Sequence, residues 1–496
     1  MRMRRRDFCA AGAAALTGLL LPPRRARAGD GASVPILGSD GKQLTLSAQD
    51  VDDLRSGLRG ELLLAGDEGY DGARRLWNPA YDRKPALIAR CHGAADVVRA
   101  VKFAGAHSLL TAVRGGGHSL SGQSAPDQGF MIDLAPMRAV DVEPQARRAH
   151  VEGGSLLGFL DRESQAFGLA TTVGTVADTG VAGLTLGGGV GRIGRRFGLS
   201  CDNLQSVEVV TADGVWRRAS SEENQDLFWA LRGGGGNFGV ATAFDFRLQE
   251  VNPQMYGGEL DFPLAGGGKL LRSFADYLNS APDELYVDVQ LQGDPKLGKI
   301  ISFDVCYSGP VADAPRVLAG LRKLGKPLKD ELGPATYTKL QGSANTPGFA
   351  HFAAYIKGGL IYGLSPALID SSVDLVQHAP NDLVAVWLQH QGGAISRVAP
   401  EATAYFGRGA SHNLGVAGAW PVGSPEAEQN KEWVRNAWAK IEPLTRGNYV
   451  NIANTDDRDS RVHAAYGDNY PRLASLKKRY DPTNLFHLNA NIKPAA

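Results

Sequence analysis

The chain has 496 residues, 43% hydrophobic and 21% charged, with a formal net charge of +1. That length exceeds one ordinary core and predicts two or three domains. The near-neutral balance gives no basic surface for a nucleic-acid or polyanion partner. The 62 glycines stand well above the usual ~7%. They cluster at 115–117, 180–198 and 233–239 with no fixed period, which excludes collagen-like, low-complexity and solenoid chains.

Residues 1–28 read as an export signal. Twin arginines precede Asp7-Phe8, a moderately apolar run covers 9–21, and Ala26-Arg27-Ala28 supplies a cleavage site. The run is too short to span a bilayer well. The twin-arginine form exports proteins already folded, so a bacterial periplasmic protein is expected. No later segment has the apolar length of a membrane span. Cys91, Cys201 and Cys306 remain after cleavage, too few and too widely spaced for a disulfide framework or a metal knuckle. Each reads as a small buried core residue.

After a lead-in with a short helix near 48–58, strand 86–89, helix 94–106 and strand 109–113 follow in order. Arg114-Gly115-Gly116-Gly117-His118-Ser119 comes next. Three glycines let backbone N–H groups approach a bulky ligand and form an anion-binding concavity. Arg114 adds fixed positive charge, and His118 an imidazole able to act as a nucleophile or ligand. Taken alone, the stretch reads as a mobile glycine loop with an incidental histidine.

Strands at 131–134 and 149–152 and a helix near 155–167 continue an α+β nucleotide-binding pattern. A dinucleotide G-x-G-x-x-G after a first strand and a P-loop lysine are both missing. A second glycine cluster, 174–191, leads through Cys201-Asp202-Asn203 to strand 207–211. A third lies at 231–240. Three segments that forgo side chains suggest an elongated ligand lying along the fold.

The stretches 114–119, 174–204 and 226–240, with Tyr480-Asp481-Pro482-Thr483-Asn484-Leu485-Phe486 and its continuation to Ile492, together resemble the berberine-bridge-enzyme-like branch of the FAD-linked oxidases, within the vanillyl-alcohol-oxidase superfamily. The resemblance implies a two-domain α+β FAD-binding fold of the vanillyl-alcohol-oxidase type. Its FAD domain is made from 29–250 and 446–496, with a substrate domain inserted at 251–445. The middle suits an antiparallel sheet covered by helices. Residues 287–291 and 301–305 alternate as half-buried strands, 384–389 and 412–417 are weaker candidates, and helices are expected near 268–278, 312–324 and 426–441.

By the same resemblance His118 bonds covalently to the flavin 8α-methyl group, while Arg114, Gly115, Gly116, Gly117 and Ser119 cradle the diphosphate. Thr179, Gly180, Val181, Gly183, Leu184, Gly188, Gly189 and Asn203 line the rest of the cofactor. Val240 meets it through the main chain, and Asn451, Asn489 and Asn491 approach from the C-terminal segment. Some members add a second bond from a cysteine; Val176 stands at that position here, so one bond is expected. Many members use the last tyrosine of Tyr-x-Asn-Tyr as catalytic base; this chain reads Tyr449-Val450-Asn451-Ile452. Members with an acidic or amide residue on a substrate-domain strand correspond to Asn413 here, which is no base. Tyr449 is the nearest surviving candidate, with His412, Tyr405 and His390 behind it. A neutral imidazole suits base work near pH 7 better than a phenol of pKa ~10.

The implied activity is an FAD-dependent oxidase acting on a sugar hemiacetal or other alcohol, or on an aromatic or alkaloid-like amine, with O₂ reoxidising the flavin to give H₂O₂. A dehydrogenase with another acceptor, and a flavoprotein that binds or detoxifies a small aromatic compound, stay open. The expected partners are a small-molecule substrate, O₂ and the twin-arginine machinery. No nucleic acid, membrane anchor or metal is expected, and the chain is taken as a monomer or homodimer.

Overall fold

A computed structural model describes residues 33–342 and 351–496. The export-signal reading, at 1–28, lies outside the described residues.

The first layer is a four-stranded sheet ordered Glu61–Leu63, Leu87–Arg90, Phe130–Asp133, Thr111–Arg114. Its last three strands run parallel. Helix Ala94–Ala106 makes the crossover, burying Val97, Ala100, Val101 and Ala104 at helical spacing. The Arg114–Ser119 stretch therefore leaves the carboxyl end of a parallel strand, where open α/β sheets bind ligands. Beside it stands a five-stranded antiparallel sheet of Trp216–Ser220, Leu204–Val210, Val240–Arg247, Arg148–Glu152 and Val140–Glu143.

An eight-stranded antiparallel sheet follows, built from residues 254–421. At its centre lie Gly298–Tyr307, Leu285–Asp294, Val384–His390 and His412–Pro421, neighbours in that order. Side chains alternate faces along a strand. On Leu285–Asp294, Val287, Val289 and Leu291 are fully buried against the helices. Helices Gly267–Leu278, Pro366–Gln377 and Ala427–Ile441 cover this face. Phe274 of the first stacks on Phe303 at 4.8 Å. Asp288, Gln290 and Gln292 point the other way, toward the glycine-rich layers.

The chain then returns. Tyr449, Ile452, Tyr466, Leu473 and Ile492 enter the core formed by Val151, Val181, Leu199 and Phe244. Lys477 is the buried clasp of this return. Its ammonium donates to Asp481 at 2.7 Å, to the Asn237 carbonyl at 2.7 Å and to the Phe486 carbonyl at 2.9 Å. A fully buried charge survives only when paired and hydrogen-bonded, and this one ties the third glycine cluster to the C-terminal segment.

Candidate active site

Between these layers lies a cavity of about 840 Å³. One wall is the glycine-rich backbone: Gly115–Ser119, Gly174–Val176, Thr179–Gly180, Gly183–Leu184 and Gly235–Asn237. The C-terminal residues Val450–Ala453 and Leu488–Ala490 close it at one side. The opposite wall is the exposed face of the eight-stranded sheet.

Close approach explains the glycines. A Cβ on Gly116 would lie 2.4 Å from the Gly180 Cα, and one on Gly180 would lie 2.5 Å from the Gly116 amide nitrogen. The two clusters touch backbone to backbone, and Gly117 takes a positive φ of 72°. His118 is held under the Trp77 ring, centroids 4.4 Å apart, with its Nε2 3.6 Å from the Asp178 carboxylate. The imidazole holds the Asp178 carboxyl below its ordinary range. Among the described residues, His118 Nε2 has no hydrogen-bond partner.

The expected cofactor residues divide into two groups. Gly115, Gly116, Gly117, His118, Ser119, Thr179, Gly180, Gly183, Leu184, Asn451 and Asn489 all line the cavity, as does Val176. Arg114, Val181, Gly188, Gly189, Asn203, Val240 and Asn491 stand behind it. The Arg114 guanidinium binds the buried Asp133 carboxylate at 3.0 Å. Val181 and Val240 are fully buried core residues. Asn203 caps the preceding turn, donating to the Phe197 and Leu199 carbonyls. Asn451 donates to the Leu184 carbonyl at 2.9 Å, and Asn489 to the Gly236 carbonyl at 3.2 Å. The side-chain oxygens of Asn489 and Asn491 have no partner among the described residues.

The candidate bases also lie behind the cavity wall. The Tyr449 hydroxyl accepts from the Gly189 amide at 3.0 Å and from Asn451 at 2.8 Å. Burial pushes it up to about 12 despite those donors. The Gly189 and Val190 amides thus position Tyr449. His390 and His412 stack at 5.0 Å, and burial holds both neutral, His412 down to about 3. Tyr405 donates to Gln391 at 3.2 Å, and burial pushes its hydroxyl up. Cys201 is fully buried, its thiol pushed up by burial, and does not reach the cavity.

Residues 85–220 match the family model "FAD binding domain", and residues 448–493 match "Berberine and berberine like". An uncharacterized FAD-linked oxidoreductase of Bacillus subtilis is 31% identical over 450 residues, covering 88% of this chain and 97% of the relative. The (R)-6-hydroxynicotine oxidase of Paenarthrobacter nicotinovorans is 30% identical, with the same coverage of both chains. The crystal structure of 6-hydroxy-D-nicotine oxidase from Arthrobacter nicotinovorans superposes with a TM-score of 0.81 at 28% identity, covering 88% of this chain and 98% of that one. The chain belongs to the berberine-bridge-enzyme-like FAD-linked oxidoreductases.

As an FAD-dependent oxidase of this family, it has a glycine wall that fits the cofactor. The wall offers backbone with no side chains in the way and buried polar atoms on Ser124 and Asn489 without a hydrogen-bond partner among the described residues. Among the described residues no cluster of His, Cys, Asp and Glu could hold a metal, and no helix is long and apolar enough to cross a membrane.

Sequence reasoning missed the sheet wall. Asp288, Gln290, Gln292, Ser302, Asp304, Trp387 and Gln389 all face the cavity. The signal was present in Val287-Asp288-Val289-Gln290-Leu291-Gln292, where strict alternation puts every polar residue on the face opposite the core. Trp77 carried no local signal, being forty-one positions from His118.

Proposed function

We propose that this enzyme is an exported oxidase that holds FAD by a single covalent bond from His118 and oxidises a hydroxylated carbon, a sugar hemiacetal or secondary alcohol. The flavin supplies a two-electron acceptor, and O₂ takes those electrons to give H₂O₂. The observation that carries the substrate reading is the sheet wall. Gln290, Gln292, Ser302, Gln389 and Asn413 offer amide and hydroxyl groups to the cavity, with the Trp387 indole among them. Such groups match the alternating donors and acceptors of a polyol, and a flat indole packs against a sugar ring. The Asn413 side-chain oxygen is buried and without a partner among the described residues, so it calls for a donor such as a substrate hydroxyl.

Support for a single bond comes from Val176, which lines the cavity where a second, thiol tether would stand. The twin-arginine segment supports export to the periplasm. An aromatic or alkaloid-like amine is the second reading, favoured by the 30% identity to (R)-6-hydroxynicotine oxidase. Peroxide release over a panel of reducing sugars, secondary alcohols and aromatic amines tests the assignment. Turnover with sugars and peroxide in equal amount is expected. Turnover confined to aromatic amines overturns the substrate class, and substrate-driven flavin reduction without peroxide makes the enzyme a dehydrogenase.

A further inference from the structure

Asp288 and Asp304 face each other across neighbouring strands, in direct register, on the cavity side of the sheet. Two carboxylates so placed repel, and side chains directly opposite sit only about 5 Å apart. The arrangement is held by Arg192, whose guanidinium is completely buried. Its two terminal nitrogens bind the two Asp304 oxygens at 2.8 and 2.7 Å. This bidentate fork fixes Asp304 as the charged partner. Asp288 receives one backbone donor, the His390 amide at 3.0 Å, and its carboxylate reaches the cavity. Beyond it in the same row come Gln389 and Asn413, directly paired, leading toward the Val450–Ile452 segment.

We propose that Asp288 is the base that takes the substrate's hydroxyl proton, with Asp304 and Arg192 as its positioning pair. The assignment rests on the reading of the substrate as a hydroxylated carbon. It fills the gap left by Ile452, which cannot titrate. In the step, the substrate O–H bond breaks and its proton bonds to a carboxylate oxygen of Asp288. The C–O bond becomes C=O as the carbon's hydride, with two electrons, leaves to the oxidised flavin. Asp288 then returns the proton to solvent through the open cavity.

The electrostatics suit that task. Burial and then the neighbouring Asp304 charge raise Asp288 to about 7, opposed by Tyr286, Arg192 and the His390 amide. A base works best with a pKa near the operating pH. The other charged groups of this region are accounted for. Glu259, in register with Asp304, is neutralised by Lys329 at 2.7 Å. The imidazole of His390 is held neutral by burial. Asp161, also raised to about 7, binds Gln341 at 3.0 Å away from the cavity.

The test uses flavin-loaded protein and two readouts. The first is anaerobic flavin bleaching by cellobiose and by a secondary alcohol, followed against pH. The wild-type rate should rise with pH and level off near neutral. Asp288→Asn should lose this limb and slow about 10²–10⁴-fold, with partial rescue in Asp288→Glu. Asp304→Asn removes the like charge and frees Arg192 toward Asp288, so its limb should move to lower pH. Bleaching by Asp288→Asn at the wild-type rate with an unchanged limb overturns the proposal. The second readout is the infrared carboxyl band of unreduced protein, which needs no substrate. A near-neutral carboxyl titration that loses one component in Asp288→Asn, leaving that of Asp161, supports the proposal; an identical titration in both proteins overturns it. If neither donor bleaches wild type, the substrate reading fails, and the infrared titration still decides whether Asp288 carries the proton.

Discussion

One wall of the cavity is backbone and the other is side chain. The cofactor wall needs Gly116 and Gly180 because their main chains touch, leaving no room for a Cβ on either. The sheet wall needs only alternation, because any polar residue at 288, 290 or 292 leaves Val287, Val289 and Leu291 in the core. The difference teaches where each kind of information is kept. Cofactor binding is written into residues that cannot change without a clash, and on the proposed reading substrate choice is written into residues the fold tolerates in many forms.

The contrast can be broken by substitution. The largest effect is expected behind the cofactor wall. Lys477→Met leaves the buried Asp481 without its charge partner, and breaking such a pair costs about 3–5 kcal/mol. Thermal unfolding should show the loss, together with reduced flavin content. Gly116→Ala drives a methyl into the Gly180 backbone, which cannot yield as a flexible side chain would. A cost of about 1–3 kcal/mol is expected, with flavin retention falling more steeply than melting temperature.

On the sheet wall the effect of substitution changes sign. Asp288 holds its proton more tightly folded, near 7, than unfolded, near ~3.9. The native state therefore binds the extra proton between those values, and stability falls as pH rises from about 4 to about 7. Asp288→Asn removes this dependence, so the variant should melt above wild type at pH 8 and lose that advantage at pH 4. Gln290→Ala is expected to change stability by less than about 0.5 kcal/mol. It should still lower kcat/KM for sugars about 3–10-fold through one lost hydrogen bond. A Gln290→Ala variant as unstable as Gly116→Ala would erase the contrast.

The same division explains what the sequence made legible. The helix expected at 94–106 is found as Ala94–Ala106, and strand 384–389 as Val384–His390. The helix rests on apolar residues at helical spacing, the strand on a weaker alternation. Strand Phe352–Ile361 escaped notice because Gly358 and Gly359 interrupt its pattern. Gly358 makes room for Ile452 of the returning C-terminal segment and Gly359 for Thr445, both close contacts distant in sequence. The Arg114–Ser119 stretch was legible because its chemistry is contiguous. The Arg192–Asp304 fork was not, since its partners lie 112 residues apart and meet only once the inserted sheet docks. Tyr449 matched the family pattern by position, yet its hydroxyl is consumed by the Gly189 and Asn451 donors.

His118 is the proposed single anchor of the flavin, stacked under Trp77 with its Nε2 3.6 Å from the Asp178 carboxylate. Proteolysis of the denatured yellow protein followed by mass spectrometry tests this directly. A flavin adduct on the His118 peptide alone is expected, with the denatured His118→Ala protein colourless. An adduct on the Cys201 peptide, or release of all flavin on denaturing wild type, would contradict it.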